Sequence, residues 1–196
     1  MKTNNEVCVL FPGSFKPIHG GHINLIKKYS QNPKVKEIKV LIGPGIRNGI
    51  TQTVAAKIAK RLLKDIPKVT IESVIYPSPV LAAYKFIETA KPGTYALGSS
   101  SKNDDYKRIK EFTLGHQPSG KYYYLVPKGV KVIELLEDVS PLKWENENRV
   151  ISSSQIRSDL LEKKYNYFTM AYPETSSEDL IFVYKELEKH ITHEGN

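Results

Sequence analysis

Short apolar runs and amphipathic stretches alternate through the first half of the chain. Val7–Phe11 is unbroken in its apolar character and ends at Pro12-Gly13, which predicts a buried strand. Gly21–Tyr29 sets Ile23, Leu25 and Ile26 against Lys27 and Lys28, the pattern of a helix with one apolar side. A second apolar run, Ile38–Ile42, is closed by Gly43-Pro44-Gly45. The next helix is expected from a Thr51 or Thr53 cap to about Lys64, with Val54, Ile58, Ala59, Leu62 and Leu63 recurring at helical spacing. Val69–Ile75 is rich in β-formers. Val80–Thr89 reads as a helix with Pro79 near its start, and Tyr95–Leu97 as a short strand ending at Gly98.

Beyond Gly98 the periodicity loosens. Asp104–Leu114 reads as a helix. Tyr122–Val126 and Val130–Leu136 flank Pro127-Lys128-Gly129, which predicts a hairpin or a strand pair at the sheet edge. Ser140–Arg149 is polar and expected to be a loop. Ser152 reads as the N-cap of a helix reaching about Glu162. Ser177–His190 forms a last helix, with an apolar stripe of Leu180, Val183, Tyr184, Leu187 and Ile191 to lay on the body or on a second copy of the chain. The β-α-β order predicts an α/β, Rossmann-like parallel sheet with helices on both faces, plus a small C-terminal helical extension. The expected organisation is one domain over residues 1–165 and the extension over 166–196. Ligands of such sheets bind beyond the carboxyl ends of the strands, where Gly13-Ser14 and Gly98-Ser99 both fall.

Composition narrows the partner. The chain has 196 residues and a formal net charge of +8, which suits a polyanionic ligand. Its basic residues are spread out rather than blocked, so a nucleoside triphosphate is a better expectation than nucleic acid. No apolar run reaches the length of a membrane span, and the first residues lack the apolar region of a signal peptide. The single cysteine, Cys8, lies inside the first strand as a small core residue, and a cytoplasmic setting is expected.

The chemistry concentrates in Pro12-Gly13-Ser14-Phe15-Lys16-Pro17-Ile18-His19-Gly20-Gly21-His22. Gly13 and Ser14 let the backbone approach an anion, and Gly20 and Gly21 leave a helix N-terminus open to a phosphate. His19 and His22 stand three apart, so one helical turn puts both imidazoles on one face. The spacing resembles the H-x-G-H motif of the nucleotidylyltransferase superfamily. Ile151-Ser152-Ser153-Ser154-Gln155-Ile156-Arg157 resembles that family's second motif, I-S-[ST]-[ST]-x-x-[RK]. The likeness spans roughly residues 6 to 161, and the P-G-S-F-K-P start resembles virus-encoded members, for which a host cytoplasm would be the setting.

This resemblance implies transfer of a nucleotidyl group from a triphosphate to a phosphate-bearing acceptor, with pyrophosphate released. It implies that His19 and His22 contact the triphosphate and support the transition state, with Gly13, Ser14, Phe15 and Gly21 shaping the turn beside the nucleotide. Ile151, Ser152, Ser153 and Ser154 would present hydroxyls and helix-end N–H groups to the outer phosphates, and Arg157 a fixed cation. Gly98 and Ser99 would touch base and ribose, with Asp104 and Asp105 weaker candidates. Arg47 and Trp144 would serve the acceptor. Lys16 stands where relatives often carry an acidic residue, and is expected to add a phosphate contact. Magnesium is the implied cofactor, carried by the substrate, because the sequence offers no carboxylate cage and no residue is assigned as a metal ligand; His116, His190 and His193 form no ligand cluster.

The segment before the second motif lacks the Thr-Glu-Gly of cytidylyltransferases, which favours ATP. Histidine at the first motif position resembles nicotinamide- and nicotinate-mononucleotide adenylyltransferases more than pantetheine-phosphate adenylyltransferases, which usually have threonine there. Cytidylyl transfer to a sugar or polyol phosphate, and a non-catalytic nucleotide- or nucleic-acid-binding module, stay as alternatives.

Overall fold

The computed structural model describes residues 6–99, 103–143 and 150–193. Five strands form one parallel sheet: β1 (Val7–Gly13), β2 (Val35–Ile42), β3 (Val69–Ser73), β4 (Gly93–Leu97) and β5 (Val130–Val132). Their order is β3-β2-β1-β4-β5, so the winding reverses between β1 and β4. That reversal opens a crevice outside the carboxyl ends of these two strands. The expected Rossmann-like α/β fold is what the chain adopts.

The alternation of side chains along β1 and β2 divides the core. Val7, Val9 and Phe11, with Ile38, Val40 and Ile42, join the cluster under α1 (Gly20–Gln31), α2 (Gln52–Leu63) and α5 (Ser153–Leu161). Leu10 and Leu41 join the opposite cluster, under α3 (Pro79–Glu88) and α4 (Asn103–Gly115). Helix starts follow local rules. Thr51 caps α2 through Val54 N–H, Ser78 caps α3 with Pro79 in its first turn, and Ser152 caps α5 through Gln155 N–H.

The expected hairpin or strand pair around Pro127-Lys128-Gly129 does not form. Tyr123–Leu125 is a single 3-10 turn, and β5 pairs in parallel with β4. Of the tyrosine run only Tyr122 turns inward: its ring stands edge-on to Tyr84 at 5.1 Å and packs where a Cβ on Gly115 would lie, while Tyr123 and Tyr124 are exposed. A short helix, α6 (Tyr165–Met170), follows α5 and was not legible in the sequence.

The last helix, α7 (Ser177–His190), docks on α2 of the same chain. Val183 and Leu187 are wholly buried, and Phe168, Ala171 and Tyr172 belong to the same core cluster. Arg61 pairs with Glu178 and Asp179, and Lys57 with Glu186, along the solvent edge of that contact. Among the described residues no helix is long and apolar enough to cross a membrane.

Burial rather than charge fastens α7. Leu187→Ala is expected to destabilise the protein by about 2–5 kcal/mol in urea unfolding. Arg61→Ala, at a solvated ion pair, costs a small fraction of that.

Candidate active site

β1 delivers the chain into a loop whose turn is shaped by packing. The ring of Phe15 folds back over Gly13, with its nearest atom 2.5 Å from where a Cβ would stand, so only glycine fits. Phe15 itself has φ 50°, stacks on Phe11 and meets His22 edge-on at 5.1 Å. The expectation of Phe15 beside a nucleotide is therefore revised. Its ring is buried beneath His22, where it supports the imidazole from the core side.

His19 and His22 start α1 as a reciprocal cap. Gly21 N–H donates to His19 Nδ1 at 3.1 Å, and His19 N–H donates to His22 Nδ1 at 3.3 Å. Histidines here do the work of the Ser/Thr and Glu of a capping box. Both Nδ1 atoms accept, so in the neutral rings both protons sit on Nε2. The two imidazoles lie 3.9 Å apart between centroids and line one cavity. The same contacts revise the expectation of an open α1 tip. Gly20 N–H is taken by Ala171 O at 2.7 Å and Gly21 N–H by the cap, because the chain at Ala171 and Pro173 packs against Gly20.

The far motif meets the near one directly. Ser153 Oγ donates to Pro17 O at 2.7 Å, and Arg157 donates to Lys16 O at 2.7 Å and to Asn48 Oδ1 at 2.8 Å. The serine hydroxyls are thus engaged in building the site: Ser152 caps α5, Ser153 holds Pro17, and Ser154 accepts from Arg157 at 3.4 Å. Ser153 N–H and Ser154 N–H, ahead of the capped Gln155, are the helix-end donors such a tip offers an anion.

Lys16 is only 1% exposed. Its Nζ donates to Gly43 O at 2.8 Å and to Ser14 O and Oγ at 3.2 and 3.3 Å. This revises the expected direct phosphate contact: the ammonium pins the β1 loop to the end of β2. Burial, then the nearby Arg47 and Arg157 guanidiniums, bring its pKa down to about 8. The partners at Nζ are neutral oxygens.

A cavity of about 250 Å³ gathers His19, Gly21, His22, Ser99 and Ile151, with Asp105 and Arg108 from α4. Its apolar wall comes from Val139, Pro141, Leu142 and Val150. An adjoining cavity of about 370 Å³ holds Gly13, Ser14, Ser78, Tyr84 and Glu111, and shares Pro12 and Arg108 with the first. Gly98 is buried at the end of β4. A Cβ there would lie 2.6 Å from Val9 and 2.7 Å from Phe11, so it is glycine for close packing of β4 on β1. Arg47 is exposed and opens the turn Arg47–Ile50, with Asn48 at φ 46° and Gly49 at φ 78°. Asp104 is exposed, while Asp105 pairs with Arg108 at 3.3 Å. Trp144 lies outside the described residues.

Asn48, Arg108 and Tyr172, whose hydroxyl donates to Ile18 O at 2.7 Å, were missed from the sequence. The Asn48-Gly49 pair was the available signal, since that dipeptide favours the tight turn that aims Asn48 at Arg157. Among the described residues no three His, Cys, Asp or Glu side chains cluster as metal ligands. Burial, and then the neighbouring Glu37, push the Cys8 thiol up to about 12, which leaves it unreactive.

No protein-family model matches the chain. Both other comparisons find proteins named as adenylyltransferases. Phosphopantetheine adenylyltransferases of Clostridium kluyveri and Clostridium tetani are 34% and 33% identical to it over 64 residues, 33% of this chain. The match covers 39% and 40% of those relatives, so the chain spans about two fifths of the length of the curated proteins it resembles. Its fold is similar to that of nicotinic acid mononucleotide adenylyltransferase from Plasmodium falciparum, in structures complexed with APC and with NaAD. TM-scores are 0.53 and 0.52 at 16% identity, covering 94% of this chain and 94% and 95% of those chains.

The buried lysine has a measurable signature. Its folded pKa is below its unfolded one, so the unfolded state binds more protons between about 8 and 10.5. The cost of the buried charge is full below pH 8 and is relieved as pH rises through that window. Chemical unfolding across pH 7–10.5 should therefore show wild type gaining stability relative to Lys16→Met as pH rises.

Proposed function

We propose that the chain transfers an adenylyl group from ATP to a phosphate-bearing acceptor, a mononucleotide such as nicotinamide mononucleotide, with release of pyrophosphate. The observation that carries this reading is the joining of the two motifs, through Ser153 to Pro17 and Arg157 to Lys16, beside a cavity lined by His19, His22 and Ile151. The apolar wall beside Ile151 suits a nucleobase, and the cluster of Lys16, Arg47 and Arg157 suits a polyphosphate.

In this reading an acceptor phosphate oxygen attacks the α-phosphorus in line. The bond from that phosphorus to the bridging oxygen breaks, and pyrophosphate departs with the electron pair. No covalent enzyme intermediate forms, so catalysis is positioning and charge stabilisation. The capping box sets the tautomers, and His19 and His22 donate from Nε2 to phosphate oxygens as negative charge shifts toward the leaving group. Arg157 and the first N–H groups of α5 steady the β- and γ-phosphates. Magnesium carried by the triphosphate would neutralise phosphate charge. A cytoplasmic setting and small-molecule substrates go with this assignment, as does a catalytic unit that carries the 166–196 extension against its own α2.

Pyrophosphate release from ATP, measured with a panel of phosphomonoester acceptors, tests the reading directly. Release with at least one acceptor is expected, and none with any acceptor would refute it. His22→Ala should lower kcat by roughly two orders of magnitude or more, with the KM for ATP little changed. Arg157→Ala should both raise the KM for ATP and lower kcat. CTP in place of ATP should support little turnover.

A further inference from the structure

The end of α7 meets the turn that holds Arg157. The chain leaves α7 at Ile191, whose backbone is extended at φ −69° and ψ 131°, and Thr192 N–H then donates to Asn48 O at 2.9 Å. Gly49 follows Asn48 at φ 78°, and a Cβ on it would clash with His190 O and stand 2.9 Å from the Thr192 hydroxyl oxygen. Glycine is therefore required there twice, for a left-handed backbone and for the close approach of another segment. Asn48 and Gly49, both in the left-handed region, form the tip of a tight turn that Arg47 and Ile50 close with bonds of 3.1 and 2.9 Å. Ile50 is wholly buried, while the tip rests on the C-terminal extension.

Asn48 is thus held at one end and holds Arg157 at the other. Its carbonyl accepts from Thr192 N–H, and its side-chain Oδ1 accepts from Arg157 Nε at 2.8 Å. The same guanidinium donates to Lys16 O at 2.7 Å. The end of the extension therefore braces the turn after β2, and that turn braces the cation of α5. α7 can carry this load because it is anchored itself. Val183 and Leu187 are wholly buried, Lys57 pairs with Glu186 at 2.6 Å, and Ile191 N–H bonds Leu187 O at 2.8 Å. A non-glycine residue in the left-handed region is tolerated at a cost, even for asparagine, so Asn48 keeps its direction through its partners. An arginine side chain has many rotamers, and a fixed acceptor at Nε selects one of them.

We infer that His190–Thr192 is a working part of the triphosphate site: by seating the Asn48-Gly49 turn, it keeps the Arg157 guanidinium in the rotamer that meets the polyphosphate. Thr192 is a positioning residue that acts through its backbone N–H, and its side chain is dispensable. The inference rests on the adenylyl-transfer reading for the role of Arg157, but its binding prediction stands apart from turnover. It gives the C-terminal extension a task beyond packing on α2, because triphosphate affinity becomes coupled to a contact that lies outside both motifs.

The experiment measures binding of α,β-methylene-ATP with magnesium to the full chain by calorimetry. Thr192→Pro removes the N–H, and Ile191 already has the extended backbone that a residue before proline adopts, so α7 keeps its fold. It should weaken binding of the analogue by about three- to tenfold, the worth of one hydrogen bond. Thr192→Ala, which keeps the N–H, should bind as wild type does. In an Asn48→Gly background the turn keeps its conformation but Oδ1 is gone, so adding Thr192→Pro should have no further effect. Wild type supplies a measurement that needs no variant. Hydrogen exchange at Thr192 N–H should slow by the same factor when the analogue saturates the protein, because the coupling is reciprocal. Equal affinity in wild type and Thr192→Pro, an equal loss in Thr192→Ala, or a full Thr192→Pro effect in the Asn48→Gly background would overturn the inference. So would unchanged exchange at Thr192, even if Thr192→Pro failed to fold. No binding of the analogue by wild type would overturn it together with the adenylyl-transfer reading. Coupling of Thr192 to the analogue without pyrophosphate release with any acceptor would keep the inference and remove the catalytic reading.

Discussion

Arg157 holds three separate stretches of chain at once. Its guanidinium reaches Lys16 O in the loop after β1, Asn48 Oδ1 in the turn after β2, and Ser154 Oγ in its own helix. Ser153, one turn earlier, ties the same helix to Pro17. A planar fork with five donors can make such a junction, whereas a lysine ammonium on a flexible stem cannot hold several fixed directions as well. The crevice exists as a site because of this closure. Without it the histidines at the start of α1 and the tip of α5 would be two unrelated helix ends.

The electrostatics follow from what those donors touch. Lys16 donates to backbone carbonyls and a serine hydroxyl, and Arg157 to Lys16 O and Asn48 Oδ1, which fixes the positions of both. Lys16, Arg47 and Arg157 accordingly repel one another, and burial sharpens the effect at Lys16. This arrangement costs stability in the empty protein and is preorganised for an anion, whose arrival requires little reorganisation of the donors. Lys16 thus anchors the loop after β1 to the end of β2, through Ser14 and Gly43 O.

Much of this was legible in the chain because the relevant signals are local. Thr51, Ser78 and Ser152 are caps that a sequence pattern exposes, and the apolar runs of β1 and β2 end at glycines that mark the crevice. The two motifs pointed to the histidines and to Arg157 for the same reason. What stayed hidden depends on partners distant in sequence. Tyr122–Val126 has the composition of a strand, yet Tyr122 finds Tyr84 and His116 and the segment turns instead. Lys16 looks like a surface cation until Gly43 O closes over it. Ser153 looks like a phosphate ligand until Pro17 O claims its hydroxyl.

The likenesses to known proteins divide along the same line. In sequence the chain is similar to phosphopantetheine adenylyltransferases, and in fold to a nicotinic acid mononucleotide adenylyltransferase. Those proteins are named for different acceptors, so what this chain has in common with both does not by itself choose one. The choice has to sit on elements outside the two motifs. In this chain such elements are α3, α4 and the tyrosine turn, which build the wall beyond Ser14 and Arg108. Of these, α4 reaches both spaces: its Arg108 lines the cavity of the histidines and the one that holds Ser14 and Tyr84.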